Sequence, residues 1–529
     1  MRFLTIEQMR AADRAAVAEA GIPDMTLMTR AGASLARVTE YLAALRNARS
    51  VALVAGHGNN GGDAFVAARC LHEDGFRAHI LMTCEPDALK GSAHEAWKHM
   101  RDAGVPHTVL ATAESWAAHP AAAADTLLRS GIVVDGVLGT GCCGAPSGAA
   151  EQAIRWINRM RPHALVVAAD IPSGMNGDTG ETAGEAVHAD ATVTFARPKR
   201  GFLNATHAER IGHLIVADIG IPDDICDRDA DDSPCRLIAL PQLARSFAER
   251  AWDAHKGSFG HVCVIGGSND FPHAPVLAAL GAARGGAGLV TLAVPAASAC
   301  AAAAWVPEAM IRVLATPHGD LSSDALQGWG RDLDRFDTIV IGPGLTVSER
   351  TRGLVTDLLT YYNGRLVLDA DGLNALALLH ASGEWRPRDD QQLLLTPHPG
   401  EAARLLDVST AAIQSDRLGS VRQLAETYQA TVTLKGSGTL VCAPGGIPRL
   451  NRTGNPGMAS GGTGDVLAGM TGALWAQGFS APDAAATAVW AHGTAGDFAA
   501  FAESRASLTA TALVQRVGMA FQMLERGGK

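Results

Sequence analysis

The sequence predicts two α/β domains, each built on a parallel sheet with helices on both faces. Its length of 529 residues suits roughly two to five domains rather than one small module. Both halves repeat one rhythm: a short β-branched apolar run, then glycine with polar residues, then a helical pattern. The apolar runs are continuous rather than alternating, which is typical of strands covered on both faces.

The runs that we predict as strands fall into two groups. In the first half they are 50–55, 79–82, 132–134, 164–168, 192–195 and 213–219. In the second half they are 261–265, 289–294, 338–341, 365–368, 393–395 and 431–434. Because ligands of parallel sheets gather beyond the carboxyl ends of the strands, the residues after each run are candidates for function.

A composition break separates the two halves. The stretch PDDICDRDADDSP contains six aspartates and almost nothing to bury, which is typical of a solvated linker. We therefore predict a first domain at 1–221, an acidic linker at 222–240 and a second domain at 241–529.

Composition excludes several classes of protein. The hydrophobic fraction of 47% and charged fraction of 19% argue against disorder. A net charge of −10 without a long basic run argues against nucleic-acid binding. No apolar run is long enough to span a bilayer, the N-terminal stretch lacks the apolar core of a secretory signal, and the nine cysteines include no CxxC pair. We expect a cytoplasmic protein with no membrane and no nucleic-acid partner.

The loop after the first strand, GHGNNGGD, formally matches the dinucleotide fingerprint G-x-G-x-x-G. Asp63 fits that function poorly, because a carboxylate would repel a pyrophosphate at a helix N-terminus. The loop instead offers backbone amides, two side-chain amides and a carboxylate to a hydroxyl-bearing ligand or a cation. A tight turn that only packs strand against helix stays an alternative.

Two further strand ends in the first half carry aspartates, Asp135 in DGVLGTGCCGAPSG and Asp170 in DIPSGMNGDTG. Either one alone could simply cap the next helix. Three glycine-rich acidic loops at one sheet edge favour a site instead. Asn60, Asp135 and the neighbourhood of Ser173 supply oxygen ligands for a hard cation, and Asp170 is the candidate proton carrier.

In the second half, GGTGD opens a helix whose apolar side is Val466, Met470 and Leu474. Glycines at a helix start leave free N–H donors, and the helix dipole adds positive potential, so this loop predicts a hole for a phosphoryl group. Asp465 can take a proton from an attacking hydroxyl. The chain has no Walker sequence, and a plain helix cap is the alternative.

Other loops of the second half converge on the same predicted edge. They contain Gly344 in GPG, His398 in TPHPGE and Lys435 in KGSGT, whose small neighbours suit a nucleotide phosphate. His398 is either a ligand contact or a satisfied loop histidine. Asp369 and Asp371 in LDADGL serve a metal indirectly or orient the loop.

These motifs resemble the bifunctional NAD(P)H-hydrate repair enzymes. The first half resembles the NAD(P)HX epimerase domain over roughly 1–220 through GHGNNGGD, DGVLGTG, DIPSG and TFARPKRGFL. The second resembles the ADP- or ATP-dependent dehydratase domain over about 240–529 through KGSFGHVCVIGGS, GGAGLVTLAVP, IGPGL, LDADGLNAL, TPHPGE, KGSGTLV and NPGMASGGTGDVLAGM. The resemblance implies a Rossmann-like sheet followed by a ribokinase-like one.

The resemblance also implies substrates and cofactors. The substrate is NADH or NADPH to which water has added across the nicotinamide ring (NADHX or NADPHX). The epimerase interconverts the R and S hydrates, and the dehydratase removes water from the S form using ADP or ATP. Potassium is implied for the epimerase domain, Mg²⁺ with the nucleotide for the dehydratase domain, and a homo-oligomer for the whole protein.

The resemblance assigns roles residue by residue. In the epimerase half Asp170 is catalytic, the potassium ligands are Asn60, Asp135 and Ser173, and the substrate residues are Asn59, Asn60, Gly61, Gly62, Asp63, Gly139, Thr140, Gly141, Cys142, Cys143, Gly144 and Ala145. In the dehydratase half Asp465 is catalytic, the substrate residues are Ala287, Gly344 and His398, and the nucleotide residues are Lys435, Gly436, Ser437, Gly438, Thr439 and Gly464.

The chain departs from the family pattern at three positions, with Ser460 where Thr is frequent, Thr346 where Gly is frequent and Thr511 where Asp is common. None of them touches Asp170 or Asp465. The strongest rival function is a ribokinase-like small-molecule kinase with the first half as a regulatory ligand-binding domain. A non-catalytic NAD sensor is disfavoured because both candidate sites keep their acidic residues.

Overall fold

The computed structural model of the protein describes residues 1–118, 131–141, 144–204, 207–229, 232–247, 250–316, 321–326, 329–388 and 390–527. It divides into two compact units, Met1–Ser233 and Pro234–Lys529. Within the described ranges, no helix combines the length and apolar character needed to cross a membrane.

The first unit is built on seven strands, all parallel to their neighbours. Its elements are α1 (Ile6–Ala18), α2 (Asp24–Arg46), β1 (Ser50–Ala55), α3 (Asn59–Glu73), β2 (Arg77–Met82), α4 (Gly91–Asp102), β3 (His107–Val109), α5 (Ala113–Ala118), β4 (Ile132–Gly136), α6 (Gly148–Met160), β5 (Leu165–Ala169), β6 (Ala191–Phe195), α7 (Ala208–Ile211), β7 (His213–Ala217) and α8 (Asp223–Cys226).

Strand β1 shows why this unit has three layers. Its residues Val51, Leu53 and Ala55 belong to one buried cluster with α1 to α4, whereas Ala52 and Val54 belong to another with α5 and α6. Successive side chains of a strand point to opposite faces, so a continuous apolar run needs helices on both. The strand order β3-β2-β1-β4-β5-β6-β7 reverses direction between β1 and β4. Crevices form at such a switch point, beyond the carboxyl ends of the strands.

The second unit is built on ten strands. Its elements are β8 (Arg236–Leu237), α9 (Leu240–Ser246), β9 (His261–Ile265), α10 (Ala274–Arg284), β10 (Leu289–Pro295), α11 (Ala296–Trp305), β11 (Met310–Leu314), β12 (Thr338–Ile341), α12 (Glu349–Tyr361), β13 (Arg365–Leu368), α13 (Ala370–Ser382), β14 (Gln392–Leu395), α14 (Pro399–Leu406), α15 (Thr410–Ser415), α16 (Arg417–Tyr428), β15 (Thr431–Leu434), β16 (Leu440–Cys442), β17 (Arg449–Leu450), α17 (Thr463–Ala476), α18 (Ala481–Ala502) and α19 (Ala510–Gly527).

The second sheet has the order β11-β10-β9-β12-β13-β14-β15-β16-β17-β8 and reverses direction between β9 and β12. Val262 and Val264 of β9 join a core cluster with α10, α17, α18 and α19. Cys263 and Ile265 alternate with them and are equally buried. Both faces of this sheet are therefore covered, which confirms the predicted class of two three-layer α/β domains.

The structure corrects the expectation of a wholly parallel second sheet. The pairs β15–β16 and β16–β17 are antiparallel. The strands absent from the prediction are short or lie toward the ends of the sheets: β3, β8, β11, β16 and β17. On β11 the side chains of Met310, Ile311 and Val313 are exposed, so this strand lacks the burial that makes an apolar run conspicuous.

The acidic stretch 222–240 is not the solvated linker that its composition predicts. In its N-terminal part, Ile225 and Cys226 of α8 are buried, and Arg197 pairs with Asp223 at 2.6 Å and with Asp227 at 2.9 Å. In its C-terminal part, β8 pairs with β17 in the second sheet. Asp223 and Asp227 neutralise Arg197 of the first unit, and the stretch divides between the two units after Ser233.

Candidate active sites

The GHGNNGGD loop leads from β1 into α3, at the switch point of the first sheet. Asn59 is exposed as the first residue of the helix, whereas Asn60, Gly61, Gly62 and Asp63 are buried. A Cβ on Gly61 would overlap a backbone carbonyl oxygen of the same loop. Gly61 is therefore needed for close packing of the loop. The loop is thus both a tight turn between strand and helix and the carrier of buried polar side chains.

Asn60, Asp135 and Ser173 come together as predicted for a cation site. The Ser173 hydroxyl is 2.6 Å from Asp135 Oδ1, and the Ser173 amide donates to Asp135 Oδ2 at 2.8 Å. The carbonyl oxygen of Leu138 lies 3.0 Å from Asn60 Nδ2 and 3.1 Å from Ser173 Oγ. A backbone carbonyl, a hydroxyl and a carboxylate oxygen thus lie together beside the Asn60 side chain.

Asp135 is fully buried. Burial raises the pKa of its carboxyl to about 6, while hydrogen bonds from Ser173 and Val137 act in the opposite direction. No basic side chain contributes to this shift. A cation bound among these oxygens would supply the missing positive charge, so the donor set fits a hard cation.

Asp170 follows β5 and has a left-handed backbone, with φ of 60°. Its Oδ1 accepts hydrogen bonds from Thr194 Oγ1 at 3.0 Å and the Phe195 amide at 3.1 Å, and it forms an ion pair with Lys199 Nζ. Sequence reasoning did not assign Lys199, although it lies in the TFARPKRGFL motif. An unusual backbone conformation at a polar strand end is typical of functional sites.

Two more acidic side chains face this pair. Burial raises the pKa of Asp13, on α1, to about 6, and burial together with the charges of Asp170 and Asp13 raises the pKa of Asp63 well above its usual value. The charge of Lys199 opposes both shifts. Asp13 was also missed by the sequence analysis, because a single aspartate on an amphipathic helix carries no motif.

The predicted substrate loop after β4 lies partly beside this site. Gly139 packs against the Asn60 side chain, and the Thr140 carbonyl oxygen accepts a hydrogen bond from Arg10 at 3.2 Å. Gly141, Gly144 and Ala145 are exposed. Cys142 and Cys143 lie outside the described residues.

In the second unit, GGTGD forms the start of α17. Gly462 is the N-cap, with φ of 90°, and no side chain caps the helix. The first amides of the helix therefore remain available to an anion, as predicted. Val466, Met470 and Leu474 are buried, but so are all the other residues from 466 to 476, so this helix is enclosed on every side rather than along one apolar side.

Asp465 lies in the first turn of α17 beside a cluster of charged residues. Lys435 Nζ is 2.6 Å from Asp369 Oδ1 and 3.9 Å from Glu401 Oε2. Burial and the charges of Asp369 and Glu401 raise the pKa of Asp465 to about 7, against the opposing charge of Lys435. Burial likewise raises the pKa of Glu401 to about 7. Both carboxyl groups can therefore exchange protons near neutral pH.

Lys435 was predicted as a nucleotide ligand, and the structure gives its ammonium group a protein partner. Burial lowers the pKa of Lys435, but the neighbouring charges of Asp369 and Glu401 outweigh burial and raise it overall. Gly464 lies against this lysine: a Cβ there would be 3.4 Å from Lys435 Nζ. Asp371 orients a loop, since its Oδ2 accepts a hydrogen bond from the Thr346 amide at 3.0 Å.

The rest of the KGSGT loop is open to a ligand. Gly436 and Ser437 are exposed, and Gly438 and Thr439 are half-buried. Arg417, on α16, holds the loop from behind: its Nη2 donates to the carbonyl oxygens of Leu434, Lys435 and Gly438 at 3.1–3.3 Å. Sequence reasoning missed this arginine, because it is distant in sequence from the loop.

His398 is both a helix cap and an accessible side chain. Its Nδ1 accepts hydrogen bonds from the amides of Gly400 at 2.9 Å and Glu401 at 3.3 Å, and 51% of the side chain is exposed. His492 is fully enclosed behind the start of α17, with Nε2 2.9 Å from the Thr463 carbonyl oxygen, and burial lowers its pKa to about 4.

The structure does not bring Ala287 together with Gly344, His398 and Asp465. Ala287 lies between α10 and β10, at the amino end of the strands, whereas the other three follow strand carboxyl ends or begin a helix there. The alanine beside Gly344 is Ala274, at the start of α10, and a Cβ on Gly344 would lie 3.1 Å from its Cβ. A loop that precedes a strand cannot reach the opposite edge of the sheet.

Among the described residues, no group of three or more histidine, cysteine, aspartate and glutamate side chains could hold a metal ion. The two sites together define a two-domain α/β enzyme, with a polar cation-compatible site in one unit and an anion-binding helix start beside an acidic cluster in the other. The family model of NAD(P)H-hydrate dehydratase matches residues 262–517, and that of the YjeF-related protein N-terminus matches residues 24–201.

Relatives extend the match over both units. The bifunctional NAD(P)H-hydrate repair enzyme Nnr of Moorella thermoacetica is 38% identical over 99% of this chain and 97% of its own, and that of Coxiella burnetii is 36% identical over 96% of each. A solved structure is also similar, that of the ADP/ATP-dependent NAD(P)H-hydrate dehydratase from Bacillus subtilis co-crystallized with ATP and Mg²⁺. Its sequence is 29% identical to this chain, and the two structures superpose with a TM-score of 0.48. The match covers 55% of this chain and 99% of the dehydratase. The chain belongs to the bifunctional NAD(P)H-hydrate repair enzymes.

Proposed function

We propose that the protein repairs hydrated NADH and NADPH in two steps. Its first domain interconverts the R and S hydrates, and its second domain removes water from the S hydrate at the expense of ADP or ATP. The observation that carries the proposal is the position of Asp465, at an open helix N-terminus and with a pKa near neutrality. The family match across both units supports this function over a small-molecule kinase.

The dehydration step needs a better leaving group than hydroxide. Asp465 accepts the proton of the substrate hydroxyl, whose oxygen then takes the terminal phosphoryl group of the nucleotide. The free amides at the start of α17 stabilise the charge of that group. The electron pair of the ring nitrogen expels phosphate, and loss of a proton from the neighbouring ring carbon restores the reduced nicotinamide.

We assign the nucleotide to the loop that Lys435, Gly436, Ser437, Gly438 and Thr439 form with Gly464. The exposed backbone of this loop and its neighbouring helix start suit phosphate oxygens. Mg²⁺ bound with the nucleotide would neutralise phosphate charge, and the carboxylates of Asp369 and Glu401 at the same edge fit its preference for oxygen. Gly344 and His398, with Ala274 in place of Ala287, are proposed to contact the hydrate.

The epimerisation step needs a base at the substrate hydroxyl. Asp170 takes that proton as the bond between the hydroxyl-bearing carbon and the ring nitrogen breaks, which gives an aldehyde and a ring-opened nitrogen that receives the proton. Rotation of the aldehyde presents its other face, the nitrogen adds back to the carbonyl carbon, and the proton returns to the oxygen. Asn59, Gly62, Asp63 and the loop after β4 are proposed to hold the substrate. Potassium bound by Asn60, Asp135 and Ser173 would balance the buried charge of Asp135 and stiffen both loops; the oxygens that meet there support this assignment.

The proposed function is tested with purified protein and a mixture of R and S hydrates. With ADP or ATP and Mg²⁺, absorbance of the reduced coenzyme should return for the whole mixture. Without nucleotide, the two epimers should interconvert while no reduced coenzyme appears. A stable phosphorylated product with no recovered coenzyme would instead identify a kinase. The homo-oligomer and the cytoplasmic location stay predictions, which size-exclusion chromatography and cell fractionation test.

A further inference from the structure

Lys199 is a buried charged residue to which the proposed mechanism assigns no role. It follows β6, and its side chain is 1% exposed. The Lys199 ammonium group donates to Thr194 Oγ1 at 2.9 Å and to the Phe195 carbonyl oxygen at 3.2 Å, besides its contact with Asp170. An ammonium group has three protons, so all its donor capacity is used inside the protein.

The backbone at Lys199 is fixed as well. Lys199 pairs with Leu4 as an isolated parallel bridge, in which the Leu4 amide donates to the Pro198 carbonyl oxygen at 2.9 Å and the Arg200 amide donates to the Leu4 carbonyl oxygen at 2.8 Å. The side chain of Lys199 therefore cannot swing out to a substrate without losing its three hydrogen bonds. Its direct contact with an acidic side chain of the candidate site is the one with Asp170.

The two oxygens of Asp170 are used differently. Oδ1 receives three donors, from Thr194, Phe195 and Lys199. Among the described residues, none donates a hydrogen bond to Oδ2, while 14% of the side chain is exposed. The carboxylate is thus held through Oδ1, and Oδ2 is left to accept a hydrogen bond from a ligand.

We propose that Lys199 is a positioning residue for epimerisation: it clamps Asp170 Oδ1, so that Oδ2 exchanges the proton with the substrate hydroxyl. This proposal rests on the proposed epimerase function of the first domain. A charge-assisted contact is among the stronger hydrogen bonds, and bonds to one carboxylate oxygen fix the direction of the other.

The remaining charges around the pair come from three helices. Asp13 on α1 and Asp63 on α3 face Asp170 and Lys199, and Arg14 on α1 and Asp24 on α2 act on Asp13. Burial raises the pKa values of Asp13 and Asp63, so their carboxyl groups keep protons at higher pH than usual. Among the described residues, the ammonium group that contacts Asp170 is that of Lys199.

The test compares Lys199→Met, Lys199→Arg and the exposed-surface control Lys98→Met in the full chain. Interconversion of R and S hydrates is followed from pH 5 to pH 9, with dehydration of pure S hydrate as the folding control. We expect Lys199→Met to lower kcat for interconversion roughly 10²-fold and to leave KM unchanged, because the carboxylate loses its orientation while no substrate contact is removed. Lys199→Arg should keep much of kcat, because its guanidinium group can also donate to Oδ1, and Lys98→Met should match the parent.

A double variant shows whether Lys199 acts through Asp170. Adding Lys199→Met to Asp170→Asn should cost little beyond Asp170→Asn alone. An unchanged kcat in a folded Lys199→Met protein, or a further loss in the double variant equal to that of Lys199→Met alone, overturns the proposal. If Lys199→Met does not fold, a folded Lys199→Arg protein that loses as much kcat as Asp170→Asn overturns it too. Failure of the parent protein to interconvert the epimers would instead reject the epimerase function.

Discussion

The two sites contain the same pair of residue types, an aspartate and a lysine at the carboxyl edge of a sheet, but connect them differently. In the first unit Lys199 contacts Asp170 itself. In the second unit Lys435 contacts Asp369 at 2.6 Å, and Asp465 keeps a pKa raised to about 7. A lysine in direct contact fixes the orientation of the base, whereas a lysine bound to a third residue leaves the pKa of Asp465 raised, so that this aspartate can hold a proton.

This difference fits the two proposed reactions. In epimerisation the proton that leaves the substrate returns to it, so a charged base held in one orientation is sufficient. In dehydration the proton must stay on the enzyme while a phosphoryl group is transferred. A carboxyl group whose pKa lies near neutrality is better suited to keep it, because proton transfer is efficient when the pKa is close to the working pH.

The largest effect is expected from Asp465→Asn, which removes the proton acceptor and keeps the shape of the residue. Recovery of reduced coenzyme from the S hydrate should fall about 10³-fold. Interconversion of the epimers by the same protein should stay at the parental rate, which controls for folding. Near-normal dehydration would show that Asp465 does not accept the proton.

Asp170→Ala should have the reciprocal effect. Interconversion of R and S hydrates should fall by about 10²–10³-fold, because the base is lost. Dehydration of pure S hydrate should continue unchanged. In a mixture of both hydrates the S form should therefore be consumed and the R form should remain. Chiral chromatography of the hydrates over time measures both. Interconversion at the parental rate would remove Asp170 from the mechanism.

Asp135→Asn is expected to act on the cation rather than on the proton. Loss of the buried negative charge should raise the potassium concentration for half-maximal epimerisation roughly 10–100-fold. Titration of the rate with KCl at constant ionic strength measures this shift. The same titration of dehydration should be unaffected. Equal potassium dependence in the variant and the parent would argue that no cation binds at Asp135.

Asp369→Asn should produce the smallest effect and tests the electrostatics of the second site directly. Because Asp465 must be ionised to accept a proton, the rate of dehydration should fall as the pH drops below about 7. Removing the charge of Asp369 lowers the pKa of Asp465, so the acid limb of the pH–rate profile should move about one unit to lower pH. Asp371→Asn is the matched control: Asp371 lies in the first turn of α13, just after the N-cap residue Asp369, and its substitution should leave the acid limb in place. An acid limb that does not move in Asp369→Asn would show that another group controls it.

Much of this arrangement follows from local sequence. The strands at 50–55, 261–265, 338–341, 365–368 and 431–434 have the predicted limits, because buried β-branched runs bounded by glycine and polar residues have few other interpretations. The short strands β3, β11, β16 and β17 have no such pattern. Their existence depends on neighbours that the sequence does not identify.

The sequence by itself determined the fold class, the two domains and the loops that carry Asp170 and Asp465, since each of these depends on residues close together in the chain. The tertiary structure decided which charges meet. It placed Lys199 on Asp170, Lys435 on Asp369 and Ala274 rather than Ala287 beside Gly344. The physical reason is that strand order and burial determine which charged side chains of distant segments come into contact. Neither strand order nor burial can be predicted from the residues of one local segment.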